Sequence, residues 1–174
     1  MCAPCWRTVN VCSAETVTVE ELRGAGFADG NHFITCACGS VFTGDKRALR
    51  CRTCAETEAL RLRPILAHRE RVLHTYPDWM PEDQRPQRRV VCAACRSDKG
   101  RLIVGPRHFD PIMKAQIDTM NYAGDDVGLF EEQGFIDQWG QFLTREDAWI
   151  VAKAAHQIIR HVERPGTLYS ENLY

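Results

Sequence analysis

Apolar and polar positions alternate in short runs over the first third of the chain and settle into longer periodic stretches in its second half. Phe33-Ile34-Thr35 and Val41-Phe42-Thr43 are short β-rich runs, and Gly44-Asp45 marks a turn behind them. Ahead of them, Thr18-Val19-Glu20-Glu21-Leu22 reads as a short capped helix ended by Gly24 and Gly26. Ala55 to Thr75 reads as helical, with Leu60, Leu66, Val72 and Leu73 available for one face and Pro64 kinking or restarting it. Pro77, Pro81 and Pro86 exclude regular structure and predict an extended linker anchored by Trp79.

Beyond the linker the pattern is cleaner. Arg89 to Ala94 predicts a strand, Ser97-Asp98-Lys99-Gly100 a hairpin turn, and Arg101 to Val104 the returning strand. Asp110-Pro111 is a cap followed by proline at the first helical position, with Ile112, Met113, Gln116, Ile117 and Met120 along one side of that helix. Gly134 to Leu143 has the apolar ends and polar middle of a second hairpin. Thr144-Arg145-Glu146-Asp147 resembles a capping box, and Ala148, Ala152, Ala155, Ile159 and Val162 carry the last helix to a stop at Pro165-Gly166. The order ββαββα implies an α+β domain with helices over one face of an antiparallel sheet. We therefore expect a zinc-ribbon-like module with its following helix over 1–75, a linker over 76–87 and the α+β domain over 88–174.

The cysteines change the picture of the first third. Cys36-Ala37-Cys38-Gly39 is followed by Cys51-Arg52-Thr53-Cys54, two close pairs on a short arm, and Gly39 sits where the chain must turn tightly. Such pairs converge on one tetrahedral zinc ion and close its shell against water, which predicts a structural zinc site. The first pair is C-x-C rather than C-x-x-C, so a different ligand set stays open, as do plain reduced thiols. Cys2, Cys5 and Cys12, with His32, could complete a second site. Cys92 and Cys95 read instead as core-strand cysteines, because no second pair follows them.

Composition is that of a globular protein, with 44% hydrophobic and 26% charged residues, and 174 residues bury about 70% of the unfolded surface. No signal-peptide pattern or membrane-length apolar run is present in the sequence, and nine cysteines in close pairs argue for reduced thiols; together these predict a cytoplasmic protein with no membrane partner. Net charge is −1, but residues 1–45 carry −3, 46–107 carry +8 and 108–174 carry −6. Lys46, Arg47, Arg50 and Arg52 lie inside the ribbon, with Arg61, Arg63, Arg69 and Arg71 beyond it. They suit a phosphate backbone, or equally a solvated face paired with Glu56, Glu58 and Glu70.

Gly105-Pro106-Arg107-His108-Phe109-Asp110 joins a strand to a helix, where free N–H groups suit an anion. Arg107 could hold it and His108 move a proton, oriented by Glu131, Glu132 or Asp137. A structural loop is the competing reading. His68 and His74 read as solvated or packing residues and His156 as a partly buried mid-helix residue.

Arg107-His108-x-Asp110, the string Gln133-Gly134-Phe135-Ile136-Asp137-x-x-Gly140-x-Phe142-Leu143-x-Arg145-Glu146, and the terminal Leu168-Tyr169-Ser170-Glu171-Asn172-Leu173-Tyr174 resemble a family of small phage- and prophage-borne proteins over about residues 88–174. The resemblance implies a phage context in a bacterial host and no catalytic roles. Where it would place Ala-Arg-His and Gly-Gln, this chain has Pro106-Arg107-His108 and His156-Gln157.

Two functions of different class follow. One is a zinc-binding accessory protein that engages nucleic acid or a host protein, in a counter-defence setting. The other is an enzyme or binding protein acting on a nucleotide or nucleotide-derived signal through Arg107 and His108. The apolar, aromatic tail and Trp79 would serve a homo-oligomer as well as a core.

Overall fold

The computed structural model describes residues 16–122, 128, 130–160 and 164–173. Contacts divide the chain into two compact units, one ending at Leu66 and the other beginning at Ala67. Together they form the α+β class expected, with antiparallel sheets throughout the described residues.

The first unit opens with α1 (Val19–Gly24). Thr18 Oγ1 accepts from the Glu21 N–H at 3.2 Å, while the Glu21 carboxylate accepts from the Thr18 N–H at 2.8 Å, which is the reciprocal capping box. Strands β1 (His32–Thr35) and β2 (Val41–Gly44) pair antiparallel, setting Phe33 opposite Thr43 and Thr35 opposite Val41. Helix α2 (Arg52–Leu73) then crosses the division between the units. It continues through Pro64 instead of restarting there. Proline removes the donor to the Leu60 carbonyl, but Leu60 and Pro64 are both exposed and water can replace it.

The face expected of α2 is also different. Leu60 and Leu66 are each 49% exposed, and the buried positions of the first half are Ala55 and Ala59, joined by Leu22 and Ala25 in a small core. Ala55 and Ala59 pack with Leu22 of α1 and with Ala25, so alanines do the packing that leucines would be expected to do. Val72, near the other end of α2, belongs to the core of the second unit.

The second unit is the ββαββα domain: β3 (Val90–Arg96), β4 (Leu102–Gly105), α3 (Pro111–Tyr122), β5 (Glu132–Asp137), β6 (Phe142–Thr144) and α4 (Arg145–Ala154). The sheet order is β4-β3-β5-β6. Ile103, Met113, Phe135, Val151 and Leu168 are fully buried in its core. Asp110 Oδ1 caps α3 through the Met113 N–H at 2.8 Å, and Thr144 Oγ1 caps α4 through the Asp147 N–H at 3.1 Å. Gly134 is required by close approach, since a Cβ there would collide with the Leu143 carbonyl and the Phe142 ring.

Helix α4 stops at Ala154, well short of Pro165-Gly166. His156 takes a left-handed φ of 54°, the His156 N–H reaches the Lys153 carbonyl at 3.3 Å and the Gln157 N–H reaches the Ala152 carbonyl at 2.9 Å. That is a Schellman end, with histidine in the place glycine ordinarily fills. Ile159 is accordingly 72% exposed, and Val162 lies outside the described residues.

Polar side chains close what the strands leave open. The Gln157 amide pairs with both backbone groups of Val90 at 2.9 and 2.8 Å, and that of Gln116 pairs with both of Val104 at 3.1 and 2.7 Å. Each glutamine stands in for a missing strand neighbour. Arg88 and Asp137 form a buried ion pair at 2.9 Å, and Arg88 also donates to the Val72 carbonyl at 2.6 Å and to Gln141 Oε1 at 2.9 Å. Asp137 Oδ1 accepts from the Trp139 and Gln141 N–H groups at 2.9 and 2.8 Å. Among the described residues no buried side-chain N or O lacks a partner.

The proline-containing stretch after α2 carries a 3-10 turn (Glu82–Gln84), and Tyr76 meets Trp139 edge-on at 5.3 Å while the Arg85 guanidinium lies over the Tyr76 ring at 5.1 Å. Trp79 is 72% exposed. The tail folds back on the domain: Leu168 and Asn172 are fully buried, and the Asn172 side chain bridges the Tyr169 N–H at 2.7 Å and the Arg160 carbonyl at 2.9 Å.

Candidate metal centre

The hairpin tip between β1 and β2 is Cys36-Ala37-Cys38-Gly39-Ser40. The Cys36 N–H donates to the Ser40 carbonyl at 2.9 Å and the Gly39 N–H to the Cys36 carbonyl at 2.8 Å, with Gly39 at a φ of 87°. Only glycine adopts that conformation without strain, which is why the knuckle carries it. The second pair lies at the start of α2: the Cys51 carbonyl accepts from the Ala55 N–H at 3.0 Å, and Cys54 sits in the first turn. A helix N-terminus favours thiolate over thiol.

These elements bring the Sγ atoms of Cys36, Cys38, Cys51 and Cys54 within 4.8 Å of one another, with Cys38 and Cys51 3.8 Å apart. Tetrahedral zinc thiolate bonds of about 2.3 Å require sulfurs about 3.8 Å apart, so the donor set fits a four-coordinate ion. All four are free cysteines. Cys36 and Cys51 are buried, Cys54 half-buried and Cys38 exposed. A hydrogen bond from Ser40 brings the Cys38 thiol down to about 6, and backbone N–H bonding lowers Cys36. Cys54 is pushed up to about 12 because it donates to sulfurs already favouring the thiolate, Cys38 first. Four sulfurs this close hold four negative charges only around a cation. A shell of four protein sulfurs would leave no open position on a four-coordinate ion, the donor set of structural rather than catalytic sites.

The basic arm beside it is largely engaged by its own chain. Arg50 donates to the Ala25 carbonyl at 2.9 Å, Arg52 bonds Glu56 at 3.1 Å and Arg47 bonds Asp45 at 3.2 Å with its side chain 85% exposed. Lys46 is exposed. Arg63 bonds Glu21 at 2.6 Å, and this contact above all holds the Glu21 carboxyl down to about 2. Of the second proposed set, His32 begins β1 and Cys2, Cys5 and Cys12 lie outside the described residues.

In the second unit Arg107 is exposed, while His108 is half-buried with Nε2 2.8 Å from the Gly134 carbonyl and its ring edge-on to Phe135 at 5.2 Å. A carbonyl only accepts, so Nε2 carries the proton; burial, then the charge of Arg145, lowers the pKa and keeps the ring neutral. The carboxylates considered for it are committed elsewhere, Asp137 to Arg88 and Glu132 to Arg96 at 2.6 Å, and Glu131 is exposed. Cys95 is buried and Cys92 half-buried, burial pushes both thiols up, and neither joins the four-cysteine cluster. His68, read from the sequence as a solvated or packing residue, accepts at Nδ1 from Arg71 at 3.0 Å and donates from Nε2 to Asp147 at 2.8 Å. Their separation along the chain hides that pairing from any local motif.

A four-cysteine knuckle module followed by an antiparallel ββαββα domain is the class of protein these two units define. Residues 89–174 match the family model of the phage T4 y16D protein, so the similarity covers the sheet, α3, α4 and the tail and stops short of the metal centre. No curated protein and no solved structure matches the chain. No helix among the described residues is long and apolar enough to cross a membrane.

Proposed function

We propose that the chain is a zinc-stapled accessory protein of phage type that acts by binding single-stranded nucleic acid through its N-terminal unit. The observation behind this reading is the outer face of the β1–β2 hairpin. Phe33 is 84% and Val41 66% exposed, on the same face as Thr35 and Thr43, whereas Ile34 and Phe42 turn the other way. Lys46 and Arg47 follow within a few residues of Thr43, the last residue of that face in β2. An exposed ring on a strand beside cationic side chains is the arrangement on which bases stack while the backbone is neutralised. Zinc is the metal that a sulfur-only tetrahedral set favours, and its part is to hold the hairpin against α2.

The test is fluorescence anisotropy of a labelled oligothymidine titrated with the full chain. Phe33→Ala weakens binding about tenfold, the loss expected for one stacked base, with no change in thermal midpoint because the ring is exposed. Reversing Lys46 and Arg47 to Glu lowers affinity and flattens its salt dependence. Arg50 is left alone because its guanidinium holds the Ala25 carbonyl. Affinity indifferent to all three changes would sink the reading.

A host-protein partner is the second reading. It is favoured by an apolar groove of about 500 Å³ on α3, lined by Pro111, Ile112, Ala115 and Met120 among others, and contact of that kind would suit a counter-defence role. Catalysis through Arg107 and His108 has less support, because the imidazole is neutral and its N–H is committed to a backbone carbonyl.

A further inference from the structure

The second unit carries a cavity of about 530 Å³ lined by Arg69, Trp149, Ile150, Lys153, Ala154 and His156. Its lining is one indole on an apolar wall with three side chains that carry or accept positive charge, a combination suited to a ligand with a planar part and an anionic part. Trp149 and Lys153 stand one turn apart on α4, so ring and ammonium share a face. Of the acids near in sequence, Glu70 pairs with His74 at 3.2 Å, Asp147 receives His68 at 2.8 Å, and Glu146 is exposed in the first turn of α4. The volume lies within the range of small-molecule sites.

Two side chains among the described residues are held at a left-handed φ, Phe109 and His156, and of these His156 lines the cavity. Its φ of 54° is a conformation that glycine adopts freely and a side chain strains to reach. The helix end it makes is carried by backbone bonds from His156 and Gln157, which glycine would make equally well. Strained side chains of this sort gather at ligand clamps, and the imidazole lines this cavity.

We propose that the cavity is a nucleoside phosphate site, in which Trp149 stacks on the base while Arg69, Lys153 and His156 receive the phosphate. The site lies within the second unit and does not depend on nucleic-acid binding by the first.

Calorimetric titration of the full, metal-loaded chain with adenosine monophosphate and uridine monophosphate tests it, with adenosine and inorganic phosphate as separate probes. Both nucleotides are expected to bind, and each part alone to bind at least about tenfold more weakly. Lys153→Glu and Trp149→Ala each weaken nucleotide binding about tenfold. His156→Gly weakens it severalfold and at the same time raises the thermal midpoint, two movements that a purely structural histidine would not combine. No heat with either nucleotide at millimolar concentration, or nucleotide affinity unchanged in His156→Gly and Lys153→Glu, overturns the site. Inorganic phosphate binding as tightly as the nucleotides overturns the role of Trp149.

Discussion

The two units reach a defined structure by different means. Among the described residues the first has a core of Leu22, Ala25, Ala55 and Ala59, with Val17 and Phe27 against it, little apolar surface with which to order a hairpin and a helix start. Its hairpin displays Phe33 and Val41 to solvent, and four converging cysteines supply what the core lacks. The second buries Ile103, Met113, Phe135, Val151 and Leu168 and satisfies its interior polar groups with side chains of its own. A unit that four thiolates can staple around an ion needs less of its apolar surface inside than one held by its core alone.

Metal removal should separate the two most sharply. Structural zinc contributes about 10–16 kcal/mol of apparent binding energy to small modules, so chelation, or Cys36→Ser, should open the first unit to proteolysis while β3 to α4 stay protected. Protection of residues 32–54 after chelation would mean that the small core suffices. The converse break is Asp137→Ala, which leaves Arg88 buried and unpaired. We expect a loss of about 3–5 kcal/mol in the second unit, read by denaturant unfolding, with metal content unchanged.

A smaller effect is confined to the second unit and to acid. Burial lowers the pKa of His108, so its unfolded form takes up a proton first as pH falls below the ordinary value of 6.5. Stability should therefore decline as pH drops from that value toward the lowered native one. His108→Gln, which keeps a donor for the Gly134 carbonyl, should flatten thermal midpoints between about pH 7 and 5; an unaltered slope would place the titration elsewhere. Smallest is the pair Thr18→Ala and Thr144→Ala, each removing a cap worth about 1 kcal/mol. With metal bound, only the second should lower the midpoint of the β-sheet unit.

Features written in neighbouring residues were legible in the sequence. The cysteine pairs, the caps at Thr18, Asp110 and Thr144 and the alternation in the strands of the second unit announce themselves over a few positions, and the ββαββα order follows from them. What escaped depends on distance or on conformation. The end of α4 was hidden because a histidine fills a glycine's place, and the expectation of Gly-Gln there is explained by the φ of residue 156. The glutamines that complete β3 and β4 come from α4's end and α3, and no periodicity marks them. Alanines on α2 were passed over for leucines because size, rather than apolarity, decided which could lie against α1.

The buried tail sets an order of events during synthesis. The four clustered cysteines all lie at or before the first turn of α2, so an ion they hold could bind while the rest of the chain is still being made. The second unit must wait, since Leu168 belongs to its core and Asn172 ties residues 159, 160 and 169 together. Until Asn172 clears the ribosome, β3 and β5 have paired edges but no lid, and a stalled or cleaved chain would expose them to aggregation and proteolysis.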